Sequence, residues 1–327
     1  MDRGCIYLVF ATLFFSSMEV ALKSIVHDFH PMQINFTRFF VGGLLLLPFA
    51  VRALRRRHIR IAASDIREFA LLGFIGLFAS MMLYQTSILF IPASAVSVLF
   101  SCNPVLVLPF AWIILRSEKR PEHIAALALE VAGALFIINP WKTELDLTGV
   151  ALVLLSAALF ALYAVLGRKD CDTYSGLAVT CFSCLAASAE MAAFMALSHV
   201  PWVAGLLEKT GLGMFAGVPF AEGYRLGNIA VAAYVCVGVT AGGYAAFFLG
   251  MERTSPMHAS LVFFFKPVIA PLLAMAILGE RVSWNMWAGI GIILLASAVS
   301  MLPALRAMPA VRNVMERMRP PSLRGGA

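Results

Sequence analysis

Long apolar runs alternate with short polar breaks along this chain. Ten runs stand out, at about 4–26, 32–51, 68–90, 93–115, 122–139, 148–166, 176–197, 228–250, 257–278 and 284–302. Each is near the ~20 residues that ~30 Å of hydrocarbon requires, and a helix satisfies its own backbone groups there. The pattern predicts an all-α integral membrane protein with ten transmembrane helices. The first run follows Arg3 as a secretory signal would, but no small-x-small cleavage site follows it, and Glu19 and Lys23 interrupt its end. It is expected to stay as an uncleaved span.

The stretch Ser255–Pro303 holds two of these runs joined by the turn Gly279, Glu280, Arg281. A second copy lies at Ala93–Pro140. Superposing them puts Asn103 and Pro104 on Lys266 and Pro267, and Ser117 and Glu118 near Gly279 and Glu280, 162 to 163 residues apart. That offset is half the chain, the signature of an internal duplication. Five spans per copy is an odd number, so the second copy enters the membrane inverted, an arrangement used by secondary transporters. The expected units are 5–139 and 148–302, joined by a short outer loop at Lys142–Leu147, with a basic tail at 303–327. The outer segment Ser198–Asn228, with Pro201 and Trp202, is too long for a tight turn. It is either an interfacial or re-entrant piece or a loose insert.

Composition agrees with lipid as the solvent: 61% of the 327 residues are hydrophobic and 13% charged. The net charge of +7 is informative through its placement. With an internal N-terminus, eighteen of the 25 Lys and Arg residues fall inside, four (Lys142, Lys209, Arg225, Arg281) fall outside, and Lys23, Arg38 and Lys266 fall within spans. That bias predicts a multi-pass protein of the cytoplasmic (inner) membrane with both termini in the cytoplasm. The basic loops and tail then face anionic lipid heads, and no nucleic-acid partner is implied. Six cysteines show no disulfide pattern; Cys181 and Cys184 read as small packing residues on a buried helix.

Candidate chemistry is confined to six charges inside the spans: Glu19, Lys23, Arg38, Glu130, Glu190 and Lys266. Facing lipid, each would cost ~2.5–3.5 kcal/mol on insertion scales, so they are expected to face protein or water. On the first span Thr12, Ser16, Glu19 and Lys23 share one stripe, at i, i+4, i+7 and i+11. Glu19 is a candidate substrate contact, or else one half of a local ion pair with Lys23. Lys266 sits about nine residues from either end of its span, ~13 Å deep at ~1.5 Å per residue. Its face carries Ala259, Ala270 and Ala274, and Pro267 frees a backbone carbonyl beside it. Lys266 is either a fixed positive charge for an anionic or carboxylate-bearing substrate or a counter-ion to Glu19 or Glu190. Arg38 is a shallower substrate-binding candidate, with the outer head groups as its alternative. Asn103, the repeat equivalent of Lys266, and Tyr84, with Gln85, Tyr244 and Phe247, are candidate cavity walls. Glu190 shares a stripe with Ser183, Ala186 and Ala193 and is expected to face inward. Glu19 and Glu190 are candidates for proton coupling, a role common among intramembrane carboxylates. Pro104, Pro267, Gly238 and Gly242 are hinge or packing candidates; the two glycines form a small-xxx-small pair.

Nothing resembles a catalytic or metal set. There is no H-E-x-x-H, G-x-S-x-G, P-loop or dinucleotide fingerprint, and the six histidines, His123 and His258 among them, lack ligand spacing. No enzyme activity, cofactor or metal is expected. A lipid-modifying enzyme would need a clustered catalytic set. A receptor or assembly protein would explain the spans but not three charges of each sign at depth.

Taken together, Ala93–Glu118 with Pro104, Leu115 and Glu118, Ala259–Glu280 with Lys266, Pro267, Leu278, Gly279 and Glu280, and Lys23 and Arg38 resemble the drug/metabolite transporter superfamily, EamA type. The likeness runs from about residue 5 to 302. It implies a secondary transporter, commonly an exporter of small metabolites, with a central cavity lined by spans one to four and six to nine. The fifth span of each half would then be peripheral, making Glu130 a helix-contact or homodimer residue. Where the family often has an acidic or neutral residue before the ninth-span proline, this chain has Lys266.

Overall fold

A computed structural model describes residues 3–307 apart from 115, 117–120, 139–144 and 254–255. The tail beyond Ala307, Glu118 and most of the loop between the halves lie outside the described residues. Seven helices are long and apolar enough to cross a bilayer, and three shorter apolar ones, Ile124–Ile138, Phe265–Leu278 and Trp284–Val299, complete the ten. The first span is Arg3–Ser24 and the second Pro31–Arg56. Pro31 opens the second helix where its missing N–H is harmless, and His30 caps it by accepting the Met32 N–H at 3.1 Å. The fifth is Pro121–Ile138, the sixth Leu147–Tyr174 and the seventh Gly176–Ser198. The ninth is Pro256–Leu278. The tenth, Trp284–Ala307, runs five residues past its expected end at 302, into the basic tail.

Three spans depart from a plain α-helix. The third consists of Ala63–Leu72, a π-helical segment Gly73–Ala79, and Ser80–Phe90. The eighth consists of Ile229–Ala233, a π-helical segment Tyr234–Gly243, and Tyr244–Arg253. These segments coincide at the half-chain offset, and π-bulges of this kind concentrate at functional sites. The fourth span, expected to be continuous over 93–115, is two helices, Ala93–Phe100 and Asn103–Ile114, joined by a turn at Ser101 and Cys102. Pro104 stands in the first turn of the second piece, where its missing N–H needs no intrahelical acceptor.

The halves pack against each other according to a pseudo-two-fold. The first span lies on the ninth and eighth; the sixth lies on the fourth and third. The second lies on the eighth as the seventh lies on the third. The second–seventh and fifth–tenth pairs map onto themselves. Every one of these contacts joins one half to the other, so the core is the seam between two copies. At the fifth–tenth crossing Gly133 and Gly289 face each other, and a methyl group at either would meet the other's carbonyl oxygen. Gly238 and Gly242 lie in the eighth-span π-segment and face Phe14 of the first span, which places them at a close helix contact.

The segment 198–228 is not a loose insert. It contains the helix Pro201–Lys209 and is tied to the start of the second span. Gln33 Nε2 donates to the Glu222 carbonyl at 2.7 Å, and the Thr37 and Tyr224 hydroxyls lie 2.6 Å apart. His30 Nδ1 is occupied by the Met32 N–H, so Nε2 carries the proton and donates to the Met214 carbonyl at 2.7 Å. Tyr224 packs edge-on to Phe29 at 4.7 Å, and Val218 is buried. Short polar and aromatic anchors fix the stretch to the bundle.

Candidate functional site

Four spans deliver charged or polar groups to one buried centre. The first-span stripe brings Thr12, Ser16 and Glu19 inward, all of them buried. From the ninth span Lys266 meets Glu19: Nζ lies 2.6 Å from Oε1, with Glu19 at 0% and Lys266 at 1% exposure. The ammonium also lies 5.1 Å from the Phe100 ring centroid on the fourth span and 6.0 Å from that of Tyr84 on the third. Tyr84 is wholly buried, packs edge-on to Phe100 at 5.0 Å and stands beside Glu19. Of the two local readings of Glu19, the pairing with Lys23 does not occur. Lys23 instead donates to the carbonyls of Ile88 at 2.5 Å and Ile91 at 3.3 Å, at the end of the third span, where helix termination leaves carbonyls without intrahelical partners.

Arg38 is not at the head groups; it is 1% exposed, in the centre of the bundle. Its Nη1 reaches Met18 Sδ at 3.5 Å, and its guanidinium carbon lies 4.5 Å from the Phe39 ring centroid. Tyr84, Tyr244, Cys184 and Cys236 surround it. Among the described residues no carboxylate pairs with it, and Nε and Nη2 have no hydrogen-bond partner in the protein. Ser16 Oγ, Gln85 Oε1, Ser97 Oγ and Ser183 Oγ, on the first, third, fourth and seventh spans, are likewise buried without partners. Buried polar atoms are normally satisfied, so a guanidinium with two open N–H-bearing nitrogens inside the bundle is the exception that stands out.

Other candidates are placed elsewhere. Asn103 Nδ2 donates to the Ala157 carbonyl of the sixth span at 2.8 Å, so its amide group ties helices together at the fourth-span break. Glu190 is half-buried on the seventh span, one turn beyond Ala186 and Ala187, which pack on Gly73 of the third. Glu130 is 4% exposed and lies against Cys102. Pro267 is buried beside Lys266; the Pro104 and His258 side chains lie outside the described residues. Cys181 and Cys184 are buried, and Cys181 Sγ donates to the Gly43 carbonyl, as packing residues do. Among the described residues no group of His, Cys, Asp or Glu is arranged to hold a metal.

One functional contact was not read from the sequence. Glu280, in the turn after the ninth span, accepts hydrogen bonds from Ala93 N at 2.8 Å, Ser94 N at 3.0 Å and Ser94 Oγ at 2.7 Å. It caps the fourth-span helix of the opposite half, and Lys23 is close enough to interact with it. Pro92 at the N-cap position offers no side-chain acceptor, which was the available signal.

A family model described as the EamA-like transporter family matches twice, over residues 2–139 and 147–302. The chain belongs to the EamA-like transporter family. An uncharacterized transporter of Clostridium kluyveri is 28% identical over 92% of this chain and 93% of its own length. The inner membrane transporter YedA of Escherichia coli K12, also uncharacterized, is 23% identical over 89% of this chain and 86% of its own. A solved crystal structure matches with a TM-score of 0.63 at 19% identity, covering 94% of this chain and 98% of that one, and so shares the fold. This EamA-like protein is therefore a multi-pass membrane transporter built from a duplicated unit, and its family is one of transporters, not of enzymes.

Proposed function

We propose that this EamA-like protein is a secondary active carrier that exports a small metabolite across the cytoplasmic membrane by alternating access, with both termini in the cytoplasm. The observation that carries the reading is the buried ion pair Glu19–Lys266, set in the seam between pseudo-symmetric halves, with the buried Arg38 sharing Tyr84 as a neighbour. Groups this costly to bury in a membrane mark substrate or ion pathways. The halves 5–139 and 148–302 act as two units that rock about this centre, with 303–327 on the inner face. The π-segments at Gly73–Ala79 and Tyr234–Gly243, and the contacts of Gly238 and Gly242, supply the deformable joints. The Glu280 cap ties the halves together at the outer end, beside Lys23, which is held by carbonyls of its own half. The absence of a nucleotide fingerprint from the sequence leaves an ion gradient or exchange as the energy source.

The test compares export of a metabolite panel from cells with and without the gene, then repeats the active cases with Lys266→Met. Loss of the export phenotype with unchanged membrane insertion supports the reading. Full export by Lys266→Met, or no gene-dependent difference for any solute together with none in reconstituted vesicles, overturns it.

A further inference from the structure

The buried centre does not balance its charge. Arg38 and Lys266 contribute two positive charges and Glu19 one negative, and all three are 1% exposed or less. Lys266 and Glu19 neutralise each other at 2.6 Å. Glu130 lies against Cys102, and neither it nor Glu190 is among the groups acting on the arginine. Facing Arg38 from the packed spans are Tyr84, Tyr244, Cys184 and Cys236, none of which carries a negative charge at neutral pH in its ordinary state. A lone guanidinium away from water is costly unless something of opposite sign arrives.

The shape of the free edge narrows what that is. Nη1 is turned to Met18 Sδ, a weak acceptor, while Nε and Nη2 have no partner. Those two nitrogens form one side of the planar guanidinium and present two N–H bonds in parallel, the fork that grips both oxygens of a carboxylate. Resting on the transporter reading above, we propose that the substrate is a small organic monoanion whose carboxylate is held by Arg38 through Nε and Nη2. The single negative charge matches the single uncompensated positive one. A dianion such as phosphate would overshoot it, and a chloride ion would engage the fork at only one atom. Tyr84 and Tyr244 are the aromatic neighbours of Arg38, and Tyr84 also stands beside Glu19. Loading cancels the excess charge of the site, so the loaded carrier changes state without carrying an unbalanced ion through the seam.

The full chain in detergent or nanodiscs is tested by thermal shift with propionate, pyruvate and benzoate, with propionamide and benzamide as uncharged counterparts, and with phosphate, chloride and methylamine. Proteoliposome exchange is then run with whichever probe binds. Stabilisation by a carboxylate and not by its amide is expected, weakened about tenfold in Arg38→Lys, which cannot form the fork, and abolished in Arg38→Gln. Arg38→Gln should also raise the melting temperature without any probe, because it removes an unpaired buried charge; a residue serving only to hold the bundle together would lower it. Equal shifts from amides, shifts only from phosphate, chloride or methylamine, no shift from any carboxylate, or an unchanged carboxylate shift in Arg38→Gln each overturn the proposal. Transport of amines or neutral solutes that survives Arg38→Gln would sink this assignment while leaving the carrier reading standing. Carboxylate binding with no exchange in vesicles would do the reverse.

Discussion

The Glu19–Lys266 pair permits a quantitative test by a double-mutant cycle. At 2.6 Å and an effective dielectric constant of ~20, two unit charges attract by about 6 kcal/mol. Withdrawing both ions from water offsets much of that, so replacing the pair together is expected to be nearly neutral, whereas deleting one partner strands the other at a cost of about 3–5 kcal/mol. Lys266→Met and Glu19→Gln should therefore each lower thermal stability strongly in detergent, and the double variant should recover most of the loss. The coupling energy should be on the order of 3 kcal/mol or more, beyond what non-contacting residues show. The exchanged pair, Glu19→Lys with Lys266→Glu, should be more stable than either of its single variants. The assay is unfolding of the purified protein followed by tryptophan fluorescence, scored only for variants that elute as one species. Losses that add to within about 0.5 kcal/mol in the double variant would mean that the two side chains do not share an ion pair.

Further outcomes follow from the ends of the bundle and its crossings. Glu280→Gln keeps one acceptor oxygen but loses the charge on the fourth-span helix terminus; it should cost about 1–2 kcal/mol and raise labelling of a cysteine placed at Ser94, and unchanged labelling would remove the outer tie. Gly289→Val pushes a branched side chain into Gly133 and Ile137 and should cost about 1–3 kcal/mol or abolish folding, whereas wild-type melting would mean the fifth and tenth spans do not cross there. Burial lowers the pKa of His30 from its ordinary value, and its Nδ1 must stay unprotonated to accept the Met32 N–H. The stability it lends is thus present above about pH 6.5 and lost as pH falls through the lowered value, so amide exchange in 212–224 should speed up at pH 5, and exchange ratios equal at pH 5 and 7.5 after correction for intrinsic rates would refute this. If Glu19 or Glu190 carries a coupled proton, uptake into inverted vesicles should fall when the proton gradient is collapsed and lose that sensitivity in Glu19→Gln or Glu190→Gln; transport unchanged in all conditions excludes coupling through either.

The spans were legible because lipid imposes one requirement on length and another on backbone satisfaction, and the apolar runs of this chain meet both. The depth of Lys266 was legible for the same reason: a single ammonium amid an apolar run has no route to water. Its partner was not. The periodicity of the first span offered Glu19 the nearest cation, Lys23, because a pattern along one helix reports only neighbours on that helix. In the fold, Lys23 is drawn to carbonyls left open where the third span ends before Pro92, and Glu19 is left for the lysine that arrives from the other half. The role of Glu280 was hidden similarly, since it caps a helix 186 to 187 residues away.

The most consequential departure is where the two copies differ. The repeat aligns Asn103 with Lys266, but the fourth span breaks at Ser101 and Cys102 and spends Asn103 on the sixth-span backbone, while the ninth continues through Pro267 as one helix and carries its lysine into the seam. A strictly symmetric duplicate would place equivalent groups on both sides of the centre. Divergence at this one aligned position, together with Arg38 in the first half and no counterpart charge at the matching register of the seventh span, gives the seam a polarity that its backbone lacks. On the proposed carrier reading, symmetry supplies two equivalent ways to close, and the unequal charges decide what must be inside before either one does.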